Sequence, residues 1–281
     1  MINECLILAA GQGSRIASLS GSDPKPLVSL FGAPLLEHIL LSSHAAGIEK
    51  FVVVVGHRAD ALRRWFADRP LADISVTLVE NADYHKANGV SALAARKWLK
   101  NPFLLLMADH IFEPKTAKAL LEQTVGADEV ILGVDYNIER IFDLEDATKV
   151  KAEGDDIVDI GKDLVEYDAL DTVMFLCGPG LFERLESAMK DGNCSLSDGM
   201  RRLCRERKLK AFDVGDGHWQ DVDTPEAFAL RMKELAVPTW RLVQLGFLAP
   251  QWLPHVERAL GWDGYREAVA MTISPIYTPT I

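Results

Sequence analysis

The stretch ECLILAAGQGSRIASLSGSDPKPL, residues 4–27, decides how the rest of the chain is read. Its opening, residues 4–10, is an almost unbroken apolar run without period-two alternation, the pattern of a strand covered on both faces. Ala9, Ala10, Gly11, Gly13 and Ser14 follow in close order. Small residues at the end of a strand let backbone N–H groups approach a phosphate with no side chain in the way. The loop is not the dinucleotide fingerprint, because Ile16 stands where a third glycine belongs, and it is not a Walker loop, because no Gly-Lys-Ser/Thr follows. It runs instead into Arg15 and, ten residues later, into Pro24-Lys25-Pro26-Leu27, where flanking prolines stiffen the backbone that carries a cation.

The strand, loop and helix unit recurs. Residues 34–46 repeat apolar residues at helical spacing between Pro34 and Gly47. FVVVV at 51–55 precedes a helix near 60–67, ISVTLV at 74–79 one over 90–99, and FLLLM at 103–107 one from Lys115. Uniformly apolar strands alternating with amphipathic helices predict an α/β fold, a Rossmann-like and mostly parallel sheet with helices on both faces. Such sheets bind ligands beyond the carboxyl ends of their strands, so the loops after Ala10, Val79 and Met107 should converge. From Thr148 the period becomes two, in KVKAE and IVDIG around Gly154-Asp155, which predicts a small β-hairpin region. TVMFLC at 172–177 then rejoins the sheet. Two helices and a strand at 210–214 lead to WQDVDT at 219–224, whose Thr224-Pro225 is an N-cap with proline at the first helical position. Catalytic signals stop near Leu235. The expected division is a domain over 1–235 and a C-terminal extension over 236–281, helical across 254–269 and docked on the domain.

Composition narrows the classes. Of 281 residues, 48% are hydrophobic and 25% charged, a soluble globular balance. Thirty basic against forty-one acidic residues leave a net charge of −11, which opposes non-specific binding to nucleic acid or to an anionic membrane surface. No segment reaches the ~18 apolar residues of a membrane span, and residues 1–10 lack the basic start of a secretory signal. The four cysteines form no CxxC and read as reduced thiols of a cytoplasmic protein. The seven histidines show no zinc spacing, and His110 stands out because it adjoins Asp109.

Taken together, LAAGQGSR, PKPL, GAPLLEHIL and AGIEKFVVVVGH resemble the sugar-phosphate nucleotidyltransferase family, which makes activated sugars and alcohols from a nucleoside triphosphate and a phosphate monoester. Within it, NADYHKANGVSAL, MADHIFEP, the run from Asp146 to Cys177, LSDGMRRL and WQDVDT are most similar to the inositol-1-phosphate cytidylyltransferases, over roughly residues 3–235. Ala108 and Met174 stand where many members have glycine. The resemblance implies that CTP and inositol-1-phosphate give CDP-inositol and pyrophosphate, with magnesium. Phosphocholine, aminoethylphosphonate or a sugar-1-phosphate is the alternative acceptor, and a non-catalytic nucleotide-binding regulatory subunit is the alternative of another class. Larger members fuse this domain to a membrane transferase, and no stretch of that length is present, so a separate enzyme is expected to use the product. The oligomeric state stays open.

Joining two polyanions requires screening of their charge before a phosphate oxygen can attack the α-phosphorus in line. Arg15 and Lys25 would neutralise the triphosphate over Ala10, Gly11, Gly13 and Ser14. Asp109, just past the FLLLM strand, is the best-placed magnesium ligand. Asp221 and Asp223 alternate around Val222 and project to one side of an extended segment, and the resemblance implies that one of them completes the metal site. For the cytosine, the Glu80 carboxylate or the Ala9 carbonyl would accept from the exocyclic amine, with Gly89 and Ser91 as donors. Lys162 would hold the incoming phosphate, with Tyr167 and Asp168 facing the polyol.

Overall fold

The computed structural model describes residues 1–13, 23–30, 33–69, 71, 73–140, 144 and 147–221. Ser14, Arg15, Asp223, the Thr224-Pro225 cap and the 236–281 extension lie outside the described residues.

Strand β1 (Glu4–Ala9) is followed by the ribbon β2 (Ser29–Leu30) and β3 (Ala33–Pro34), then α1 (Leu35–Ala45), β4 (Lys50–Val55), α2 (Ala59–Asp68), β5 (Ser75–Glu80) and α3 (Asn88–Ala94). After these come β6 (Phe103–Met107), β7 (His110–Phe112), α4 (Pro114–Leu121) and β8 (Val130–Asp135). The second half adds β9 (Lys149–Glu153), β10 (Asp156–Gly161), β11 (Ala169–Cys177), α5 (Leu181–Ala188), α6 (Leu196–Arg205), β12 (Leu209–Asp213) and β13 (Trp219–Asp221).

The main sheet runs β5-β4-β1-β6-β11-β8-β12-β10-β9. Strands β5, β4, β1 and β6 are parallel neighbours, as the alternation of strands and helices predicts. Beyond β6 the sheet changes character, because β11 lies antiparallel to both β6 and β8. The hairpin forms as expected, with β9 and β10 antiparallel and Gly154 at φ +62° in the turn. The chain order reverses between β1 and β6, so the crevice for a ligand opens beyond their carboxyl ends.

The apolar strands lack alternation because their residues feed two cores. In β1, Leu6 and Leu8 join residues of α3, α5 and α6 on one face, whereas Cys5, Ile7 and Ala9 join α1, α2 and α4 on the other. Strand β6 divides likewise, with Phe103 and Leu105 against Leu104 and Leu106. Each leucine, isoleucine or phenylalanine among them contributes about 1.5–3 kcal/mol when fully buried, whichever face it takes.

Two of the expected elements differ in detail. The helix after β5 starts at Asn88 rather than Val90 and ends at Ala94 rather than Leu99. Its continuation tightens into three-residue turns, Ala95 N–H to Ala92 O at 3.0 Å and Trp98 N–H to Ala95 O at 3.0 Å, and Leu99 beyond them is buried in the core. In β11 the residues 172–174 stand against the single position Gly133, since Asp171 pairs with Val134 and Phe175 with Leu132. Thr172 Oγ1 donates to Gly133 O at 2.7 Å within this bulge. The residue placed in the left-handed region is Val173, at φ +61°, one position before Met174. A β-branched side chain there is strained, and bulges of this kind sit beside active sites.

Phe182 of α5 stacks on Phe103 of β6, with ring centroids 5.4 Å apart and planes 13° from parallel. Phe182→Ala should therefore lower the unfolding free energy by about 3–5 kcal/mol in urea titrations. A loss below about 1 kcal/mol would show that the stack is not part of the cooperative core.

Candidate active site

The loop after β1 meets the PKPL segment side by side. Gly13 has φ +59°, and a Cβ on it would lie 2.6 Å from Lys25 Cβ, so both backbone conformation and space demand glycine. Residues Lys25–Leu27 form a short 3-10 turn, closed by Leu27 N–H to Pro24 O at 2.8 Å and Val28 N–H to Lys25 O at 3.0 Å. The turn presents the Lys25 ammonium to Asp109, with Nζ donating to Oδ2 at 2.9 Å. Asp109 stands two residues past the end of β6, after Ala108, whose N–H donates to Leu8 O at 3.1 Å and carries the β1–β6 ladder one step further.

The other Asp109 oxygen is also engaged. His110 Nδ1 and Asp109 Oδ1 are 2.7 Å apart. Strand β7 pairs antiparallel with β13, and this register sets Asp221 directly opposite His110. One ligand atom each from Asp109, His110 and Asp221 fall within 4.8 Å of one another, so the three could hold a metal ion. Two hard carboxylates and an imidazole fit a divalent cation, and the carboxylate oxygens suit magnesium in particular.

Charge binds this cluster together. Burial would raise the Asp109 carboxyl, but the His110 and Lys25 charges beside it reverse that effect and hold it well below the usual carboxylate range. Burial would lower His110, and the Asp109, Asp221 and Asp171 carboxylates instead push it up to about 9. Burial raises Asp171 to about 6 against the opposing pull of the Val173 N–H, which donates to its Oδ1 at 2.6 Å, and of the His110 charge. Asp171 flanks the bulge of β11 and carries no local signal in the sequence, being one aspartate in a strand-like run.

The other expected site residues fall into two groups. Ala9 and Ala10 are buried at the base of the glycine loop, and Ala10 O accepts from His57 N–H at 3.0 Å. Ser91 is buried in α3 and accepts from Asn81 Nδ2 at 2.9 Å. A Cβ on Gly89 would approach Cys194 O to 2.7 Å, so this glycine lets α3 pack against the segment leading into α6. Glu80, at the carboxyl end of the outer strand β5, is exposed and paired with Arg63 of α2. In the hairpin region, Lys162 is exposed and its carbonyl accepts from Lys149 Nζ at 2.8 Å. Lys149 Nζ also lies 6.0 Å from the Tyr167 ring centroid. Asp168 accepts from Lys151 Nζ and from Ala152 N–H, each at 3.0 Å, and so ties the start of β11 to β9.

Solved structures share this fold. The inositol-1-phosphate CTP transferase from T. maritima aligns with a TM-score of 0.72 and 27% identity, over 83% of this chain and 96% of that one. A UDP-glucose pyrophosphorylase in complex with UDP-glucose aligns with a TM-score of 0.68 at 18% identity, a likeness of fold alone. Among curated proteins, the bifunctional IPC transferase and DIPP synthase of Rubrobacter xylanophilus is 37% identical over 236 residues, 83% of this chain and 52% of that protein. Its counterpart in Aquifex aeolicus is 30% identical over 249 residues, 89% of this chain and 55% of that protein. The chain thus spans about half the length of these relatives. The MobA-like NTP transferase domain model matches residues 5–270, and the chain belongs to that family.

Proposed function

We propose that this chain is a cytidylyltransferase that converts CTP and inositol-1-phosphate into CDP-inositol and pyrophosphate. The observation that carries the reading is the meeting of Lys25 and Asp109 at 2.9 Å, beside His110 and Asp221, where the chain order of the sheet reverses. The substrates follow from the inositol-1-phosphate CTP transferase named among the similar structures and from the IPC transferase relatives.

The chemistry needs no protein nucleophile. An oxygen of the inositol-1-phosphate forms a bond to the α-phosphorus, the bond from that phosphorus to the bridging oxygen breaks, and pyrophosphate leaves. Lys25 would place positive charge against the triphosphate where the glycine loop exposes backbone N–H groups. Arg15, outside the described residues, is the proposed second cation. Asp109, with Asp221 or Asp223, would hold magnesium, which when bound screens the phosphate charge and polarises the α-phosphate. The Ala9 carbonyl or Glu80, with Gly89 and Ser91, is the proposed cytosine contact. Lys162, Tyr167 and Asp168 are the proposed acceptor side. The domain division at residue 235 is part of the same proposal and rests on the sequence signals that stop near Leu235. Four buried free thiols suit a reducing compartment, and we place the enzyme in the cytoplasm.

Pyrophosphate release from CTP, UTP, dTTP, ATP and GTP, each paired with a panel of phosphate monoesters, should be fastest for CTP with inositol-1-phosphate. Efficient turnover of phosphocholine or a hexose-1-phosphate with inositol-1-phosphate inert would defeat the acceptor assignment and leave nucleotidyl transfer standing.

In the same assay, Lys25→Ala and Asp109→Ala should each lower kcat/KM by at least ~100-fold, the loss of about 3 kcal/mol of stabilisation of phosphate charge. Their far-UV circular dichroism should match the parent. Near-native turnover in either variant would remove that residue from the mechanism.

A further inference from the structure

Asp221 reaches the acidic cluster on β13, a three-residue strand whose only sheet partner among the described residues is β7. A strand this short has few bonds with which to fix its own register, and a slip of one residue would turn Asp221 to the opposite side.

Two buried carboxylates outside the cluster grip the strand. Glu113, only 1% exposed, stands immediately after β7. Its backbone N–H donates to His218 O at 3.0 Å, and its Oε2 accepts from His218 N–H at 3.2 Å. One residue therefore takes both main-chain groups of His218 and adds a rung to the ladder beyond Trp219 and Phe112. Asp135, fully buried at the carboxyl end of β8, accepts from the Trp219 indole N–H at 2.8 Å through Oδ2. Its Oδ1 accepts from Asn137 N–H at 2.8 Å. Glu113 fastens β13 to β7, and Asp135 fastens it to the main sheet.

The ion pair of Glu113 is a weak source of stability. Burying an ionised group is costly, and the partner of Glu113 is the largely exposed Lys115, with Nζ at 2.9 Å. What the two carboxylates gain is placement, in the way that outer partners orient the ligands of a metal site.

We infer that Glu113 and Asp135 are positioning residues for the metal cluster: by clamping His218 and Trp219 they hold Asp221 opposite His110 and beside Asp109. The inference rests on the reading of Asp109 and Asp221 as metal ligands.

Titration of the purified full chain with manganese alone, following free Mn²⁺ by electron paramagnetic resonance, tests both layers separately. Asp221→Asn, Glu113→Ala and Trp219→Phe should each weaken manganese binding by about 10-fold or more, the usual effect of losing a ligand or its outer partner. Glu113→Gln keeps an oxygen to accept from His218 N–H and should bind within about 3-fold of the parent, well inside that range. Trp219→Phe keeps an aromatic ring and loses the indole N–H together with part of the ring surface, so, read alongside circular dichroism, it decides the matter should Glu113→Ala not fold. Weakened binding with unchanged circular dichroism, together with rescue by glutamine, is the signature of positioning rather than of a loosened fold. If Asp221→Asn loses manganese while folded Glu113→Ala and Trp219→Phe bind like the parent, the positioning role is overturned. If the parent and Asp221→Asn bind alike, the metal reading fails and the inference falls with it.

Discussion

The Asp109 carboxylate holds Lys25 on one oxygen at 2.9 Å and His110 on the other at 2.7 Å, and the two partners come from different parts of the fold. Lys25 rides on a proline-bounded turn packed against Gly13, so the glycine loop is tied to the same carboxylate. His110 begins β7, which in turn carries β13 and Asp221. A pair of opposite charges at ~4 Å gains roughly 4 kcal/mol at an effective dielectric of about 20. Desolvation of the ionised groups offsets much of that gain, so the arrangement serves geometry more than stability. It gathers the glycine loop, the PKPL turn, the end of β6 and the short β7–β13 ribbon at one point.

That point sits where a parallel sheet is obliged to open. Strand β1 has β4 on one side and β6 on the other, and the connections leaving β1 and β6 run to opposite sides. Because β1 and β6 are buried on both faces, their carboxyl ends are held rigidly by two cores at once. A charged cluster placed there needs no large motion to bring its members together, which is the preorganisation that electrostatic catalysis of phosphoryl transfer requires.

What the sequence made legible was local. The apolar runs of β1, β4 and β6 announce strands because burial on both faces removes alternation, and the period-two residues of β9 and β10 around Gly154 announce a hairpin. Lys25 and Asp109 were legible as a cation and an anion leaving rigid elements, and the structure adds that they touch. The parts that escaped depend on contacts between distant residues. Strand β7 is only three residues long, and its partner WQD lies more than a hundred residues away, so neither segment carries enough pattern to reveal the pairing. Strand β8, VILGVD, is interrupted by Gly133, the position that the β11 bulge crosses. Asp171, at the edge of that bulge, is near enough to act on His110, a placement that depends on elements far apart in the sequence. Met174 stands where many related chains have glycine, whereas the positive φ belongs to Val173, a distinction of one residue that only the bulge geometry decides.

The most direct test of an Asp109-centred nucleotide site is diffraction from crystals grown with manganese and CTP, using the anomalous signal to locate the metal. The expected result is a manganese peak within bonding distance of Asp109 and of Asp221 or Asp223, with the triphosphate lying over Gly11 and Gly13 and within reach of Lys25. A metal or triphosphate bound elsewhere on the sheet, with the Lys25–Asp109–His110 cluster untouched, would contradict it.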